Sequence, residues 1–173
     1  MATTLNLTEL FEKAQRSVTH LELRDTYGTE SYGYRAWREG VPMDAISRYD
    51  YLTPWVDMIR GHVNRGVSFR RARVISEPVS DYIRYEHAVT PAANLAGGEQ
   101  VRWLPRPQAS DLALPGSDFW QFDDGLVCFI FQTGDGDPAG HEMSEDPAVI
   151  KLCVSAFEAV WARAVDHADY NPG

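Results

Sequence analysis

The first hydrophobic positions of the chain recur every three or four residues, which is the spacing of one face of a helix. Asn6 precedes this pattern as a candidate N-cap, with Glu9 three residues further on. The apolar positions are Leu7, Leu10, Phe11, Ala14 and Val18. We therefore predict an N-terminal helix that packs against the rest of the molecule through this face.

Two shorter patterns follow this helix, and both predict β-strands. In residues 20–24 leucines alternate with polar side chains, which predicts a half-buried strand. Residues 31–37 are rich in aromatic side chains and predict a partner strand. Thr53 as a cap and Pro54 in the first turn then predict the start of a second helix.

The second half of the chain has a strand–helix–strand–hairpin–helix order. Ser76-Glu77-Pro78 is typical of a helix start, and Asp123-Asp124-Gly125 is typical of a hairpin turn. Residues 134–145 are polar and are expected to form a loop. The predicted segments are strands over residues 69–75 and 100–104, a helix over 79–87, the hairpin over 118–131 and a long helix from Pro147.

These elements predict one α+β domain over residues 1–173, with a mixed or mostly antiparallel sheet flanked by helices. The N-terminal helix and strands would form an extension packed on that sheet. A division into an N-terminal subdomain, residues 1–66, and a second unit, residues 67–168, is the alternative. The apolar fraction of 44% and the aromatic fraction of 12% provide a sizeable core and exclude a disordered chain.

Charge is spread unevenly over the chain. Residues 60–109 carry 8 basic and 4 acidic side chains, whereas residues 110–173 carry 2 and 12. The acidic part would repel a phosphate backbone, so DNA contact by this chain alone is not expected. The basic segment is either an anion-binding surface or an internal salt-bridge surface. Its arginines are Arg60, Arg65, Arg70, Arg71 and Arg73.

No pattern in the sequence indicates a bound metal or cofactor. None of the five histidines, His20, His62, His87, His141 and His167, has zinc-ligand spacing. The loop over residues 135–146 begins like a calcium loop but has Ala139 where an acidic side chain is needed. Glycine-rich phosphate loops and dinucleotide-binding patterns are missing, so no cofactor is expected.

The remaining sequence signals concern the cellular compartment. Cys128 and Cys153 lie in predicted apolar elements and are expected to be core residues. No window approaches the ~20 apolar residues of a membrane span, and no secretory signal is visible. A cytoplasmic location is therefore expected.

A small-molecule or peptide pocket is the leading functional hypothesis. Strand ends and helix starts in the second half should gather aromatic and charged side chains near one edge of the sheet. Aromatic walls with a few charges suit a planar or cationic ligand. The candidate ligand-binding residues are Glu77, Tyr82, Arg84, Trp103, Arg106, Asp118 and Trp120.

The alternative is a hydrolase or transferase that uses the same pocket. Glu77, His87 and Asp118 could then act as acid and base, although their spacing does not establish that they converge. A nucleophile elbow of the Gly-x-Ser-x-Gly type is not found in the sequence.

The element order of the second half resembles a phospholipase D-like half-domain. In that family the hairpin carries His-x-Lys and a downstream Asp. If Asp124 or Asp123 stands at the Asp position, the His position is Ser117 or Gly116 and the Lys position is Phe119 or Asp118. The resemblance thus implies a half-domain without its catalytic residues, and the protein is not expected to be a phosphodiesterase.

The whole chain also resembles an uncharacterised actinobacterial family, a domain of unknown function. The segments that carry this resemblance are residues 20–27, 73–80, 99–106 and 118–123. The resemblance implies proteins encoded beside helix-turn-helix regulators, and a second half similar to sensor domains fused to such regulators. A non-catalytic regulatory module is therefore expected. Its partner would be a small ligand or a helix-turn-helix protein, and a homo-oligomer is left open.

Overall fold

The computed structural model describes residues 6–48 and 52–173, which form one mixed β-sheet of seven strands. These strands are β1 Ser17–Glu22, β2 Ser68–Ile75, β3 Gln100–Pro105, β4 Asp118–Phe122, β5 Leu126–Gln132, β6 Pro138–Ser144 and β7 Val165–Asp166. Their order across the sheet is β6-β5-β4-β1-β2-β3-β7. β1, β2 and β3 run parallel, and the other pairings are antiparallel.

Helices cover both faces of this sheet, so the predicted α+β fold with a mixed sheet is confirmed. The described helices are α1 Leu7–Lys13, α2 Tyr32–Arg38, α3 Met43–Ile46, α4 Leu52–Asn64, α5 Asp81–Ala93 and α6 Pro147–Arg163. Two short 3-10 helices cover Leu95–Gly97 and Arg106–Ala109.

The alternation of side chains along β1 supplies both faces with core residues. Leu21 packs with Phe157 of α6, whereas Val18 faces the other way and packs with Phe11 of α1 and Ile59 of α4. Full burial of such a side chain contributes roughly 1.5–3 kcal/mol. β1 lies between β2 and β4, so the N-terminal part of the chain provides a central strand of the sheet.

Several predicted elements are confirmed because local signals specify them. The Asn6 side chain accepts a hydrogen bond from Glu9 N at 3.3 Å and caps α1. The hairpin turns at Asp123 and Asp124, which have positive φ angles of 51° and 56°. The strand predicted over residues 69–75 is β2.

The strand predicted over residues 31–37 is wrong, because this segment forms α2. Ser31 Oγ accepts a hydrogen bond from Tyr34 N and caps the helix. Tyr34 and Trp37 are one helical turn apart, and both rings lie about 6 Å from that of Tyr85 on α5. The aromatic residues therefore stabilise a helix–helix contact.

Two further boundaries differ from the sequence prediction. The loop expected over residues 134–145 contains β6, which pairs with β5 although its own side chains are largely exposed. The helix predicted over residues 79–87, with Ser76 as its cap, begins at Asp81 and has Ser80 as its N-cap. Ser76 instead donates from its backbone N and its Oγ to the Asp25 carboxylate, before the helix begins.

The strand predicted over residues 20–24 is also shifted and more deeply buried than expected. β1 begins at Ser17 and ends at Glu22. His20 and Glu22, predicted to face solvent, are only 7% and 6% exposed. Glu22 pairs with Arg71 and Arg73 of β2, whereas His20 pairs with Glu22 and stacks on Trp120. Thr53 lies within the first turn of α4, which begins at Leu52.

Candidate functional site

Four neighbouring strands, β4, β1, β2 and β3, each have one end at the same edge of the sheet. β1, β2 and β3 are parallel, so their carboxyl ends meet at this edge. β4 runs antiparallel to β1, which brings its first residue, Asp118, to the same edge. Ligands of open α/β sheets bind outside the carboxyl ends of parallel strands, so this edge is the first place to seek a site.

A cleft of about 470 Å³ opens at the carboxyl ends of β2 and β3. We call it the edge cleft. Its wall combines apolar side chains with a carboxyl, a guanidinium and two hydroxyl groups. The lining residues are Val74, Ser76, Glu77, Arg106, Pro107, Ala109, Ser110 and Leu114.

Three side chains form a hydrogen-bonded clamp beside the edge cleft. The Asp25 carboxylate accepts from Ser76 N and from Ser76 Oγ, both at 2.7 Å. Arg106 Nε donates to Ser76 Oγ at 3.0 Å, and Arg106 Nη2 donates to Leu23 O at 2.8 Å and to Val74 O at 3.0 Å. The clamp therefore joins the ends of β1 and β2 to the segment after β3.

A second cleft of about 380 Å³ lies at the start of β4, and we call it the Asp118 cleft. Asp118 Oδ1 accepts from Leu23 N at 2.8 Å. Burial raises the pKa of Asp118, and the neighbouring Tyr27 hydroxyl partly offsets this effect. The lining residues are Leu23, Arg24, Gly116, Ser117, Asp118, Phe131 and Gln132.

The structure brings together only part of the predicted ligand-binding set. Glu77 and Arg106 line the edge cleft, and Asp118 lines the cleft beside it. Glu77 Oε1 accepts from Tyr170 Oη at 2.9 Å, which ties this wall to the C-terminal segment. Arg84 donates to the carbonyl oxygen of Gly173.

The three aromatic members of the predicted set lie in the interior. Tyr82, Trp103 and Trp120 are each more than nine-tenths buried. Trp103 Nε1 hydrogen bonds to His167 Nδ1 at 3.2 Å, and Trp120 stacks on His20 with ring centroids 3.9 Å apart. These rings are therefore core residues, and none of them is among the residues that line the two clefts.

The proposed acid–base residues are also distributed over different places. Glu77 lines the edge cleft, and Asp118 lines its neighbour. The His87 ring packs on His167 with centroids 4.4 Å apart, and its Nε2 lies 3.1 Å from Tyr170 O. Burial lowers the pKa of His87, which favours its neutral form.

A layer of buried ion pairs lies between the sheet and α5. The register of β1 and β2 places His20 beside Arg71 and Glu22 beside Arg73. Arg73 Nε donates to Glu22 Oε2 at 2.5 Å, and Arg71 Nη1 donates to Glu22 Oε1. We call the full set the ionic layer; its members are His20, Glu22, Arg71, Arg73, Glu86 and Glu99.

Two carboxyls of the ionic layer have opposite pKa shifts. Burial acts to raise the pKa of Glu22, but Arg73 and Arg71 hold it well below its usual range. Burial raises the pKa of Glu86 to about 7; Arg73 opposes this shift, and the negative charge of Glu22 reinforces it. The layer therefore contains one firmly ionised carboxyl and one that titrates near neutral pH.

The arginines of the basic segment are bound by other groups of the chain, two of them in the buried layer and the others nearer the surface. Arg71 and Arg73 belong to the ionic layer, Arg70 pairs with Glu158 at 2.6 Å, and Arg60 pairs with Asp57 at 2.5 Å. Arg65 donates to the carbonyl oxygens of Phe11 and Glu12. Each of the five guanidinium groups thus has a partner within the chain.

Sequence reasoning missed the clamp and the ionic layer. Asp25 and Ser76 carry no recognisable motif, and only the tertiary contact identifies them. The ionic layer did leave a signal, because His20-x-Glu22 and Arg71-x-Arg73 each place two charged or titratable groups on one face of a strand. When two such strands lie side by side in register, buried ion pairs between them are expected.

The described residues provide neither a metal-ion cluster nor a membrane-spanning helix. Within residues 6–48 and 52–173, no three His, Cys, Asp or Glu side chains are arranged to hold a metal ion. Across the same described residues, no helix is long and apolar enough to cross a membrane.

Comparisons with known proteins identify a family but no activity. The sequence model of a family described as Domain of unknown function (DUF6879) matches residues 6–172. A search of curated protein sequences found no match.

Among solved structures, the chain is similar to TrmBL2, an archaeal chromatin protein whose structure shows a novel mode of DNA binding (TM-score 0.49, 15% identity). That similarity covers 92% of this chain and 49% of TrmBL2, so the chain spans about half the length of that protein. The chain is also similar to Nuc from Salmonella typhimurium, a phospholipase D family member, with a TM-score of 0.49, 10% identity, and coverage of 92% and 87%.

Proposed function

The chain belongs to the DUF6879 family, and we propose that it is a non-catalytic sensing module whose small-molecule ligand binds in the edge cleft. The observation that carries this proposal is the position of the cleft. An apolar wall and several polar groups converge where two parallel strands end. Such a combination favours binding of a small organic molecule with a defined orientation.

The charges around the edge cleft indicate the kind of ligand. Arg106 is already surrounded by two carbonyl oxygens, Ser76 Oγ and the Asp25 carboxylate at 3.5 Å. Glu77 adds a second negative charge to the wall. Two carboxylates and one guanidinium favour a neutral or singly cationic ligand over an anion. Val74, Ala109 and Leu114 would contact its apolar part.

The clamp provides a route from ligand binding to the rest of the fold. Ser76 and Arg106 line the edge cleft and also hold Asp25 and Leu23 at the end of β1. A ligand that contacts them would favour one arrangement of this edge and so change the affinity for a partner. The family resemblance implies that the partner is a helix-turn-helix regulator, and we include that partner in the proposal.

Native mass spectrometry of the protein from its source cells tests the proposal. Ser110→Trp would place an indole in the cleft from an exposed position, and Ser155→Trp on the exposed face of α6 is a matched control. We expect a small molecule on the unsubstituted protein and on Ser155→Trp but not on Ser110→Trp. A ligand retained by Ser110→Trp, or a protein that carries none, would contradict the proposed site.

A further inference from the structure

β6 is the outermost strand on one side of the sheet, and no strand of the described residues pairs with its outer side. Half of its backbone N–H and C=O groups therefore point away from β5. Its seven residues are all exposed or half-buried. On the opposite side of the sheet, β7 pairs with β3, and the segment after β7 packs His167 and Tyr170 against Trp103. The fold thus covers one outer strand and leaves the other uncovered.

Residues 140–144 of β6, which we call the open segment, form a regular strand. They pair with residues 127–131 of β5 without a register shift, and the shift lies beyond them at Gln132. Proteins commonly protect an outer strand with lysine, proline or a bulge. Here Pro138 and the register shift lie at the first end of β6, outside the open segment. Its length is close to that of an average strand, about five to six residues, so another strand can pair along it.

The turn between β5 and β6 holds the strand in position. Thr133 N donates to Asp137 O at 2.8 Å, and Gly136 N donates to Thr133 O at 3.0 Å. Gly136 has a φ of 90° and lies so close to the segment before α2 that a Cβ there would be 2.9 Å from Gly28 N. An added strand would therefore meet a preformed partner, which reduces the ordering cost of binding.

The side chains of the open segment lie on two different faces. Cross-strand pairing places Met143 and His141 on the face of Ile130, which packs with the core formed by α1 and α4. Met143 is 48% exposed, so apolar surface continues there beyond the core. Glu142 lies on the opposite face, because successive side chains of a strand alternate. An added strand fits best with apolar side chains on the first face and cationic ones on the second.

Negative charge surrounds the open segment and indicates which partner fits. Residues 133–146 contain five acidic side chains and no lysine or arginine. All five are exposed, and none forms an ion pair with a described lysine or arginine. A basic segment would be attracted, whereas the β6 of a second copy would bring the same five carboxylates against these. The acidic residues are Asp135, Asp137, Glu142, Glu145 and Asp146.

We propose that the open segment is a docking site for an extended, basic segment of a partner protein, which adds one strand to the sheet. Backbone hydrogen bonds to the outer side of β6 provide affinity, and alternate side chains provide specificity. Lysine or arginine side chains face Glu142 and the neighbouring carboxylates, and the apolar side chains between them contact Met143. This surface does not depend on the edge cleft or on the ligand proposed for it.

Binding of a fluorescent heptapeptide to the full chain tests this inference. In the probe, valine and lysine alternate with valine at both ends, and binding is measured by fluorescence anisotropy. One control peptide has glutamate in place of lysine, and another keeps the side chains but has every backbone nitrogen methylated. We expect the probe to bind at least about tenfold more tightly than either control. Equal binding by the methylated peptide would show attraction by charge alone and would overturn the proposal, as would a probe that does not bind.

Two charge-reversal variants locate the site. Glu142→Lys should weaken binding of the lysine probe by at least about fivefold and strengthen binding of the glutamate peptide. Asp169→Lys, in the exposed segment after β7, makes the same change in net charge at the opposite side of the sheet and should leave both affinities unchanged. Equal losses in the two variants, each shown to be folded by its NMR spectrum, would place the peptide elsewhere and overturn the assignment.

NMR of the ¹⁵N-labelled protein gives an independent readout. The probe should cause its largest amide shifts in residues 140–144. Sedimentation of the protein without peptide tests the other occupant. A dimer whose β6 amides are protected from hydrogen exchange would place a second copy on this strand and contradict the proposal.

Discussion

Arg106 and Asp118 hold the same residue from opposite sides. Arg106 Nη2 donates to the carbonyl oxygen of Leu23 at 2.8 Å, and Asp118 Oδ1 accepts from the amide of Leu23 at 2.8 Å. Each side chain also lines a cleft. The end of β1 is thus fixed by two residues that line separate clefts.

Arg106→Met should weaken this edge of the sheet. Methionine keeps the length of the side chain but removes the donors to Leu23 O, Val74 O and Ser76 Oγ. We expect a loss of about 1–3 kcal/mol in the free energy of unfolding, measured by urea denaturation. Arg84→Met is the control, because Arg84 contacts only the carbonyl of the C-terminal Gly173 among its described hydrogen-bond partners. If the two variants unfold at the same urea concentration, the clamp does not stabilise the fold.

Glu22→Gln should destabilise the protein much more strongly. Glu22 is the shared partner of Arg71 and Arg73, and all three side chains are more than nine-tenths buried. Removal of its charge leaves two buried guanidinium groups with too few counter-charges, a loss of about 3–5 kcal/mol. Glu9→Gln removes a carboxyl from the exposed pair with Lys13 and should leave thermal unfolding unchanged. A similar melting temperature for both variants would refute the importance of the ionic layer.

Glu86 should give the stability a distinctive pH dependence. Its pKa is raised from 4.5 to about 7, so the folded protein binds this proton more tightly than the unfolded chain. The stabilisation from that proton is complete below pH 4.5 and is lost as pH rises to about 7. Relative to wild type, Glu86→Gln should therefore gain stability over this interval, on the order of 3 kcal/mol. Denaturant titrations at several pH values measure the difference, and Glu142→Gln on exposed β6 should show none.

Asp123 should be more important to the hairpin than its exposed neighbour Asp124. Its carboxylate accepts from the backbone N–H groups of Gln15, Arg16 and Ser17 at 2.6–2.8 Å. Burial acts to raise the pKa of Asp123, but these hydrogen bonds lower it below the usual value. Asp123→Ala should cost about 1–3 kcal/mol in unfolding free energy.

Asp123→Asn keeps one acceptor oxygen and tolerates the left-handed backbone, so its loss should be smaller than that of Asp123→Ala. Chemical denaturation of the two variants gives the comparison. A smaller effect for alanine than for asparagine would contradict the role assigned to the three hydrogen bonds.

The two cysteines should be inert in the folded protein. Cys128 and Cys153 are fully buried, and burial raises the pKa of both thiols to about 11. Because the thiolate is the reactive form, maleimide labelling at neutral pH should be at least about 100-fold slower in native protein than in urea. Mass spectrometry of the labelled chain identifies each site. Rapid labelling of either cysteine without denaturant would contradict the packing described for β5 and α6.

Sequence patterns located the elements whose signals are local. The apolar spacing and the Asn6 cap are enough to define α1, and the turn residues Asp123 and Asp124 are enough to define the hairpin. The pattern over residues 31–37 predicts a strand where the structure has α2, because an aromatic-rich segment suits either structure. The aromatic residues that pack against α2 lie on α5, about fifty residues away in the chain.

The candidate site was predictable only in part. Glu77, Arg106 and Asp118 could be placed near one edge because the ends of strands can be read from apolar runs and turns. The burial of Tyr82, Trp103 and Trp120 could not be foreseen, because an aromatic side chain beside a strand end suits a pocket wall or a core equally well.

The sequence by itself determined the α+β class and the elements with local signals, such as α1 and the β4–β5 hairpin, since each depends on residue identity or spacing along the chain. The tertiary structure alone decided that Asp25 holds Ser76 and that Asp118 holds Leu23. These contacts join residues 51 and 95 positions apart. Their geometry depends on how the strands are ordered in the sheet, and polar contacts of this kind leave no periodic pattern in the sequence. The two clefts exist because that order brings distant strand ends to a single edge.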